Sequence, residues 1–394
     1  MAGSILTLNA GSSSVKFALF DTAAELKVTV RGEIETLDAT PHLIARDAGG
    51  TVLAEKCWPA GAAPSFATVL DALLAFTDAH LGRDGLAAVG HRVVHGGADH
   101  IAPELVTPAL LAALEALTPL DPLHMPDNLV PMHEVVTARP ALPQVACFDT
   151  AFHHTLPPVA RRFALPRAVS DAGVRRYGFH GLSYEFVAGY LAQQFPALAR
   201  GRVIVAHLGS GASLCALRDG HSLDTTMGFS ALDGLVMATR CGSLDPEVIL
   251  YLGRQGHSFA DIEDMLYRRS GLLGVSGISG DVRVLLASHD PHAREALELF
   301  TYRIACEVGA LVSALGGLDG LVFTAGIGEH APVIRAAVCA RLAWLGLRLD
   351  SAANTAGAAC ISTSDSVVEV RVIATDEELM IARHTQNVIG WSAS

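Results

Sequence analysis

The sequence has little charge and few aromatic residues. Only 17% of its 394 residues are charged and 6% are aromatic, whereas 51% are hydrophobic. An intrinsically disordered chain has the opposite balance, so this composition excludes that class and predicts a compact globular protein. The length exceeds what one hydrophobic core usually supports, and we therefore expect two domains.

Paired cysteines are also missing. The seven cysteines lie at positions 57, 147, 215, 241, 306, 339 and 360, without a Cys-x-x-Cys pair. That scatter argues against both a zinc site and a disulfide framework. We expect buried thiols in a reducing cytoplasm.

Basic residues are in short supply. The chain has 28 Lys and Arg against 40 Asp and Glu, a formal net charge of -12. A non-specific nucleic-acid binder needs a basic surplus, so we expect no nucleic-acid partner. An anionic small substrate is still compatible, if a few basic residues converge locally.

Long apolar runs are absent as well. The most apolar window, 304–327, is interrupted by Glu307 and Asp319 and predicts a buried helix followed by a strand. The N-terminus has no basic region followed by a long apolar run, so we expect no signal peptide and no membrane partner.

Two segments share one pattern. ILTLNAGSSSVKFALF (5–20) and VIVAHLGSGASLCALRDG (203–220) each contain an apolar run, a Gly/Ser turn and a second apolar run. Each lies near the start of roughly half the chain, which suggests a duplicated domain. The pattern is short, and chance similarity is the alternative.

Strand-like and helix-like runs alternate along the chain, which predicts α/β layers. The strand-like runs are 88–94, 144–148, 320–324 and 367–374; the helical ones include 67–81, 184–194 and 294–315. We place the domain border near Thr150. The first domain then comprises 1–150 plus about 379–394, and the second comprises 151–378.

Three glycine-rich turns have the composition of phosphate-binding loops. In LNAGSSSVKF, small residues let backbone N–H groups approach an anion, and Lys16 adds a point charge. The turn in HLGSGASL is similar, and FTAGIGEHA lies between a predicted strand and a predicted helix. The alternatives are ordinary tight turns and a solvated lysine.

Several polar residues stand where catalytic groups are often found. Arg92 in GHRVVHGG and Arg240 in MATRCGSLDP can each form a fork with a carboxylate or phosphate; the alternative is a structural ion pair. Asp149 follows a strand, with helix capping as its alternative. His180 precedes a helix and is catalytic only if it reaches the substrate.

The acidic trio 376–378 follows the strand that we predict at 367–374. One carboxylate at a strand end could hold Mg²⁺ through water and phosphate oxygens. The alternative is negative charge at a helix N-terminus, which the helix dipole favours.

Taken together, these segments resemble the acetate kinase family, in the superfamily of acetate and sugar kinases, heat-shock ATPases and actin. The match runs in order across nearly the whole chain: LNAGSSSVKF, GHRVVHGG, PLHMP, FDTAFHHTLP, RRYGFHG, HLGSGASL, TMGF, TRCGSLDP, SGLLGVSGISGD, TAGIGE and TDEELMIARHT. The resemblance implies two duplicated domains of the actin-like ATPase (ribonuclease H-like) type, with the active site in the cleft between them. It also implies a homodimer.

The resemblance implies a role for each matching residue. Arg92 and Arg240 would hold the carboxylate and the moving phosphoryl group, His180 would stabilise the transition state, and Asp149 matches the active-site aspartate. Asn9 and Glu377 match the positions for Mg²⁺ (or Mn²⁺), and Ser12 and Lys16 match positions that contact phosphate. Three segments match the nucleotide-binding positions: His207, Leu208, Gly209, Ser210 and Gly211; Asp281, Val282 and Arg283; and Gly326, Ile327, Gly328, Glu329 and His330.

The implied reaction is the reversible, direct in-line transfer of a phosphoryl group from ATP to acetate, giving ADP and acetyl phosphate. Acetate is already an anion at neutral pH, so it needs no strong base. The difficulty is the approach of two anions, which calls for arginines, Mg²⁺ and a positioned histidine. The alternatives are a propionate kinase, a sugar or polyol kinase, and an ATP-gated binding module on the same fold.

The sequence departs from the family pattern at several positions. Ser210 stands where the family usually has the asparagine of HLGNG, and His330 stands where it usually has the asparagine of GIGEN. These two changes leave the nucleotide preference open. Val94, Leu123 and Phe179 match an apolar pocket, but Ala231 stands where proline is usual, so we expect better tolerance of propionate. Further departures are Met125, Leu182 and Tyr184, where asparagine, threonine and histidine are usual.

Overall fold

The computed structural model describes residues 3–11, 14–35, 40–59, 64–82 and 85–390. Its strands are β1 (Ser4–Ala10), β2 (Val15–Asp21), β3 (Lys27–Glu35), β4 (His42–Asp47), β5 (Val52–Cys57), β6 (Leu86–Val93), β7 (Glu104–Leu105), β8 (Gln144–Phe148), β9 (Arg202–Leu208), β10 (Ala212–Arg218), β11 (His221–Thr225), β12 (Gly320–Thr324) and β13 (Glu369–Val372).

The helices are interspersed among these strands in runs rather than in strict alternation. They are α1 (Phe66–Leu81), α2 (Pro108–Ala116), α3 (Met125–Ala138), α4 (Pro158–Arg161), α5 (Arg167–Asp171), α6 (Gly181–Gln194), α7 (Pro196–Ala199), α8 (Pro246–Arg254), α9 (Phe259–Arg268), α10 (Gly271–Ser276), α11 (Val282–Ala287), α12 (Pro291–Leu315), α13 (Ala325–His330), α14 (Pro332–Arg341), α15 (Ser351–Ala356) and α16 (Glu377–Val388). Short 3₁₀ helices occupy Thr118–Leu120, Ala151–Thr155 and Ala343–Leu345.

The chain divides into two compact units. The first contains Met1–Ala151 and Asp376–Ser394, and the second contains Phe152–Thr375. The return to the first unit thus begins at Asp376 rather than at about 379. As a result, the acidic trio and the whole of α16 belong to the first unit.

The two units repeat one sheet topology. In the first unit the order is β5-β4-β3-β2-β1-β6-β8-β7, and in the second it is β11-β10-β9-β12-β13. Strand β1 is antiparallel to β2 and parallel to β6, and β9 is likewise antiparallel to β10 and parallel to β12. The series β3-β2-β1-β6-β8 therefore has the same order and polarity as the whole second sheet, which supports the duplication predicted from the two hairpins.

Alternation along β1 divides the core of the first unit between two faces. Leu6 and Leu8 pack with side chains of α1 and α3, whereas Ile5 packs with Ala382 of α16. Successive strand residues point to opposite faces of a sheet, so an uninterrupted apolar run indicates burial on both sides. In the second unit, Val203 and Val205 of β9 pack against Leu191 of α6, and α12 also packs against β9 and β10.

Some predictions about local structure were wrong. The run 367–374 forms a strand only over Glu369–Val372, because Val367 is exposed and bonds to Gly346 instead of the sheet. The segment AGIGEH is a short helix, α13, rather than a loop. Cysteines 57, 306 and 360 are exposed, so the expectation of buried thiols holds only for 147, 215 and 339.

Among the helices of the described ranges, none combines the length and the apolar content that a bilayer crossing requires.

Candidate active site

Polar side chains follow three neighbouring strands of the first unit. Asn9 lies at the end of β1, Arg92 at the end of β6 and Asp149 directly after β8. These strands are parallel, so their carboxyl ends meet at one edge of the sheet. Open α/β sheets place functional groups at this edge.

Arg92 and Asp149 form an ion pair. Asp149 is fully buried, and its Oδ2 accepts hydrogen bonds from Nε and Nη2 of Arg92, the former at 3.0 Å. The backbone N–H of Asp149 bonds to the Val93 carbonyl at 2.9 Å. The Asp149 side chain is thus committed to Arg92 instead of capping the next segment, while its Oδ1 is buried without a partner among the described residues.

Asn9 connects this ion pair to α16. Nη1 of Arg92 donates to Asn9 Oδ1 at 3.3 Å, and Asn9 Nδ2 donates to Glu377 Oε2 at 3.0 Å. The other two members of the acidic trio, Asp376 and Glu378, have other partners. Asp376 caps α16 by accepting from the Leu379 N–H at 2.9 Å, and Arg31 pairs with Asp376 and Glu378.

Burial and charge shift the pKa values of this cluster. Burial raises the pKa of Glu377 to about 7, although the positive charge of Arg92 opposes the rise. Burial alone would lower the pKa of Arg92, but the carboxylates of Asp149 and Glu377 outweigh it, and the net shift is upward. The cluster therefore keeps a permanently charged guanidinium beside a carboxyl group that can exchange its proton near neutral pH.

The other candidates of the first unit lie on adjoining elements. Val94 is buried, and its N–H bonds to Asn128 Oδ1 at 2.7 Å; Leu123 is half-buried. Lys16 is exposed on β2 and pairs with Asn9 across the β1–β2 ladder. Ser12 lies outside the described residues.

A second cluster of candidates forms in the other unit, around Gly211. A Cβ atom at Gly211 would lie 3.2 Å from Nε2 of His180 and 3.4 Å from Nη2 of Arg240. A side chain there would crowd both groups, so glycine leaves room in front of an imidazole edge and a guanidinium. This arrangement suits an anion, because both groups are directed at the same small space.

His180 is fixed on two sides. Its backbone has the left-handed φ of 59°, unusual for a residue other than glycine, and it precedes the first residue of α6. Its ring stacks on His207, with ring centroids 4.1 Å apart. Its Nδ1 lies 2.8 Å from Oγ of Ser213. Strained backbone of this kind is found preferentially at functional sites.

Phe179 and Ala231, the remaining candidates for the acyl group, are both buried. The Phe179 carbonyl lies 2.9 Å from Nε2 of His153, and the Ala231 carbonyl accepts from Nη1 of Arg240 at 2.7 Å. The backbone carbonyl of residue 231 therefore holds Arg240, and this contact does not depend on the side chain at that position.

The candidate nucleotide segments occupy three places in the second unit. Ser210 is exposed at the β9–β10 turn, and its carbonyl accepts from the Ala238 N–H at 3.0 Å. Asp281 caps α11, accepting from the Arg283 N–H at 2.8 Å. Helix α13 starts at Ala325 with a left-handed φ of 64° and ends at His330, whose side chain is exposed.

Several residues of these clusters carry no signal in the sequence. Arg335 donates from Nη1 to the carbonyls of Gly328 and Glu329, and Ser213 connects His180 with Tyr184. A buried arginine in a helix and a serine in a strand are common, so only their tertiary partners reveal them.

Comparison with known proteins identifies the family. The acetokinase family model matches residues 4–383. The chain belongs to the acetokinase family. A chain named acetate kinase from Rhodopseudomonas palustris (strain ATCC BAA-98 / CGA009) is 53% identical to it over 391 residues, which cover 98% of each chain. One from Nitrobacter hamburgensis (strain DSM 10229 / NCIMB 13809 / X14) is 50% identical over 389 residues, covering 98% of this chain and 96% of the relative.

Solved structures of acetokinase relatives share the fold. A structure described as a propionate kinase from Francisella tularensis subsp. tularensis SCHU S4 aligns with a TM-score of 0.91 at 37% identity, covering 98% of this chain and all of that one. The Porphyromonas gingivalis acetate kinase structure aligns with a TM-score of 0.87 at 35% identity, with the same coverage. The predicted α/β fold with two duplicated, actin-like units is thereby confirmed.

Proposed function

We propose that this member of the acetokinase family is an acetate kinase that transfers a phosphoryl group between ATP and acetate. The observation that carries the proposal is the 53% identity to a chain named acetate kinase, over 391 residues. We further propose that the reaction takes place in the cytoplasm.

In this proposal, the first unit supplies groups for the carboxylate substrate. Arg92 would pair with the carboxylate of acetate, and Asp149 would hold the Arg92 side chain in place. Val94 and Leu123 are the residues of the first unit that we propose for the methyl group, and Phe179 and Ala231 are those that we propose in the second unit. The transfer needs no strong base, because acetate is already ionised at neutral pH.

The second unit supplies groups for the transferred phosphoryl. His180 and Arg240 would donate hydrogen bonds to its oxygens, where charge must be stabilised as two anions approach. Their position beside Gly211 supports this role, because Nε2 of His180 and Nη2 of Arg240 lie 3.2 Å and 3.4 Å from the place that a Cβ atom of residue 211 would occupy. The nucleotide would bind at 207–211, 281–283 and 326–330, with Lys16 and Ser12 contacting phosphate.

The first unit also has a donor set that fits Mg²⁺ or Mn²⁺. No cluster of three or more His, Cys, Asp or Glu suited to a metal occurs among the described residues. Mg²⁺ usually takes only one or two carboxylates and fills its other positions with water and substrate phosphates. Asp149 Oδ1, which is buried and has no hydrogen-bond partner among the described residues, would bind the ion together with Glu377 and Asn9. When bound, the ion would neutralise phosphate charge.

A hydroxamate assay for acyl phosphate tests the proposal. The purified chain would be given acetate, propionate, butyrate or a sugar, each with ATP, GTP or pyrophosphate. We expect acetyl phosphate formation to be fastest with acetate and ATP. Phosphorylation of the sugar without acyl phosphate would favour a sugar kinase, and ATP hydrolysis unaffected by every acceptor would favour a binding module.

A propionate kinase is the second candidate. The substitution at Ala231 enlarges the space proposed for the acyl chain, and the Francisella tularensis relative of this fold is described as a propionate kinase. A higher specificity constant for propionate than for acetate in the same assay would decide for this candidate.

We also propose that the protein forms a homodimer through α8 and α9. Val248, Leu250 and Tyr251 of α8 and Phe259 of α9 are exposed apolar side chains, and Leu244, just before α8, is exposed beside them in sequence. Phe259 is 88% exposed, unusual for so large an apolar residue. We expect light scattering to give a dimer mass for the native chain and a monomer mass for a Tyr251→Glu/Phe259→Glu variant. A Val159→Glu variant, changed at another exposed apolar residue, should remain dimeric; a monomeric native chain would refute the proposal.

A further inference from the structure

Three side chains of the second unit form a hydrogen-bonded row. Oγ of Ser213 lies 2.8 Å from Nδ1 of His180 and 2.5 Å from Oη of Tyr184. Ser213 and Tyr184 are both fully buried. Tyr184 stands on α6 one turn after His180, and Ser213 stands on β10, so the serine joins the helix to the sheet.

The order of donors along the row follows from the chemistry of the three groups. A phenol O–H is more acidic than an aliphatic hydroxyl and is therefore the stronger donor. Tyr184 then donates to Oγ of Ser213. The single hydrogen of Ser213 is left to donate to Nδ1 of His180, which must accept it as an unprotonated nitrogen. In a neutral imidazole this places the proton on Nε2.

The protonated nitrogen faces the space beside Gly211. The virtual Cβ position of Gly211 lies 3.2 Å from Nε2 of His180 and 3.4 Å from Nη2 of Arg240. Ring stacking on His207 prevents the imidazole from tilting toward that side, and the row through Ser213 prevents it from flipping. His180 therefore presents an N–H, rather than a lone pair, next to the guanidinium.

From this geometry we propose that Tyr184 is a positioning residue. Acting through Ser213, it holds His180 in the Nε2–H tautomer, ready to donate a hydrogen bond to an anionic oxygen. The inference deepens the proposed function and rests on it for the identity of that oxygen, the transferred phosphoryl group. It also assigns a role to a departure from the family pattern, because histidine is usual where this chain has Tyr184.

The tautomer can be measured directly. The chain would be labelled with ¹⁵N-histidine and studied by NMR without ligands, with His180 assigned by its disappearance in a His180→Gln variant. We expect His180 to give the Nε2–H pattern in the native chain and a mixture of tautomers in Tyr184→Phe, which keeps the ring. Tyr190→Phe loses a hydroxyl from the same helix and should give the native pattern.

Turnover supplies a second measurement. A lost hydrogen bond that acts only on the transition state lowers kcat and leaves KM unchanged, so Tyr184→Phe should have a kcat lower by roughly tenfold and normal KM values for acetate and ATP. Ser213→Ala should show the same change. The double variant should be no slower than Ser213→Ala, since both changes break one row.

Two results would overturn the inference. One is an Nδ1–H pattern for His180 in the native chain, and the other is an unchanged pattern and kcat in Tyr184→Phe. The NMR measurement needs no turnover. A chain without acetate kinase activity but with the expected tautomers would refute the proposed function and leave the positioning by Tyr184 intact.

Discussion

Arg335 is a buried positive charge that is satisfied without a carboxylate. It is 1% exposed, and among the described residues it forms hydrogen bonds only to neutral oxygens. Nη1 donates to the carbonyls of Gly328 at 2.9 Å and Glu329 at 2.7 Å, the last turn of α13. Nε and Nη2 donate to Asn354, each at 2.8 Å. Carbonyls at a helix end lack partners within the helix, so Arg335 completes α13 from outside.

We expect Arg335→Met to loosen α13 and to weaken nucleotide binding. The variant removes the hydrogen bonds that Arg335 donates to four oxygens, of which only the Asn354 carbonyl has a further donor, the Gly357 N–H, among the described residues. This should lower the free energy of unfolding by about 3 kcal/mol. Far below the melting temperature, KM for ATP should rise by roughly tenfold while KM for acetate stays normal. Arg341→Met is the control, because Arg341 lies on α14, the helix that also carries Arg335. An equal rise in both KM values would indicate general loosening instead.

Ala231 is the residue whose side chain should set the acceptor preference. It is buried, and its carbonyl rather than its methyl group binds Arg240. Ala231→Pro should therefore keep Arg240 in place while adding ring volume near the acyl chain. We expect the ratio of kcat/KM for propionate to that for acetate to fall by roughly tenfold, the range for one methylene in an apolar pocket. A ratio that stays the same or rises would contradict the assignment.

The sequence shows which residues could carry chemistry, but it does not show which partners they have in the fold. Asp376, Glu377 and Glu378 are indistinguishable as a row of acidic residues, yet in the structure Glu377 bonds to Asn9, whereas Asp376 and Glu378 pair with Arg31. Arg31, which pairs with Asp376, is 345 residues away, and Asn9, which bonds to Glu377, is 368 residues away. Only the folded first unit brings them together, so local pattern could not have separated the three carboxylates.

At the scale of elements, α16 lies unusually close to the sheet of the first unit. A Cβ atom at Gly90 of β6 would come within 2.2 Å of Thr385 Oγ1 and 2.6 Å of Ile381 Cγ2. Both residues belong to α16, which starts at Glu377. Gly90 therefore sets the distance at which the helix carrying Glu377 crosses the strand carrying Arg92.

We expect Gly90→Ala to push α16 away from β6. Overpacking of this kind should lower the free energy of unfolding by about 2 kcal/mol, measured by urea titration, and should lower kcat as Glu377 moves from Asn9. Gly189→Ala is the matched control, since nothing lies within 4 Å of its virtual Cβ on α6. That change should stabilise the helix by about 0.5–1 kcal/mol. Equal behaviour of the two variants would refute the close-packing argument.

Elements could be predicted from the sequence more completely than their arrangement. The strand 144–148 was predicted with its observed bounds, and the two hairpins were recognised as repeats. The position of β6 beside β1, and of β12 beside β9, could not be read from the chain, because parallel pairing joins strands that are distant in sequence. The short helix α13 was missed because its glycines favour a loop, and the two hydrogen bonds from Arg335 to its carbonyls are tertiary contacts.

At the scale of the whole molecule, each unit contains a buried neutral histidine. His91 of the first unit lies 2.7 Å from Gln144 through Nε2, and His153 of the second lies between Ser222 and Phe179. Burial lowers the pKa of both histidines to about 4. The hydrogen bonds to Gln144 and to the Phe179 carbonyl favour the charged form and oppose this shift, but burial has the larger effect. The unfolded chain takes up these protons near the ordinary histidine pKa of about 6.5. Below that pH the unfolded state binds more protons, so stability falls as the pH is lowered toward 4.

This linkage predicts how each histidine contributes to acid unfolding. One proton bound only by the unfolded state costs about 1.4 kcal/mol per pH unit, or about 2 kcal/mol between pH 6.5 and 5. Urea titrations at pH 7 and pH 5 give the loss of free energy of unfolding between the two pH values. We expect this loss to be about 2 kcal/mol smaller in His153→Gln than in the native chain. The variant itself should be less stable than the native chain at pH 7. His292→Gln, changed at an exposed histidine, should keep the native difference. If His153→Gln kept it as well, the native imidazole of His153 would already be protonated at pH 5, which would contradict a pKa lowered by burial.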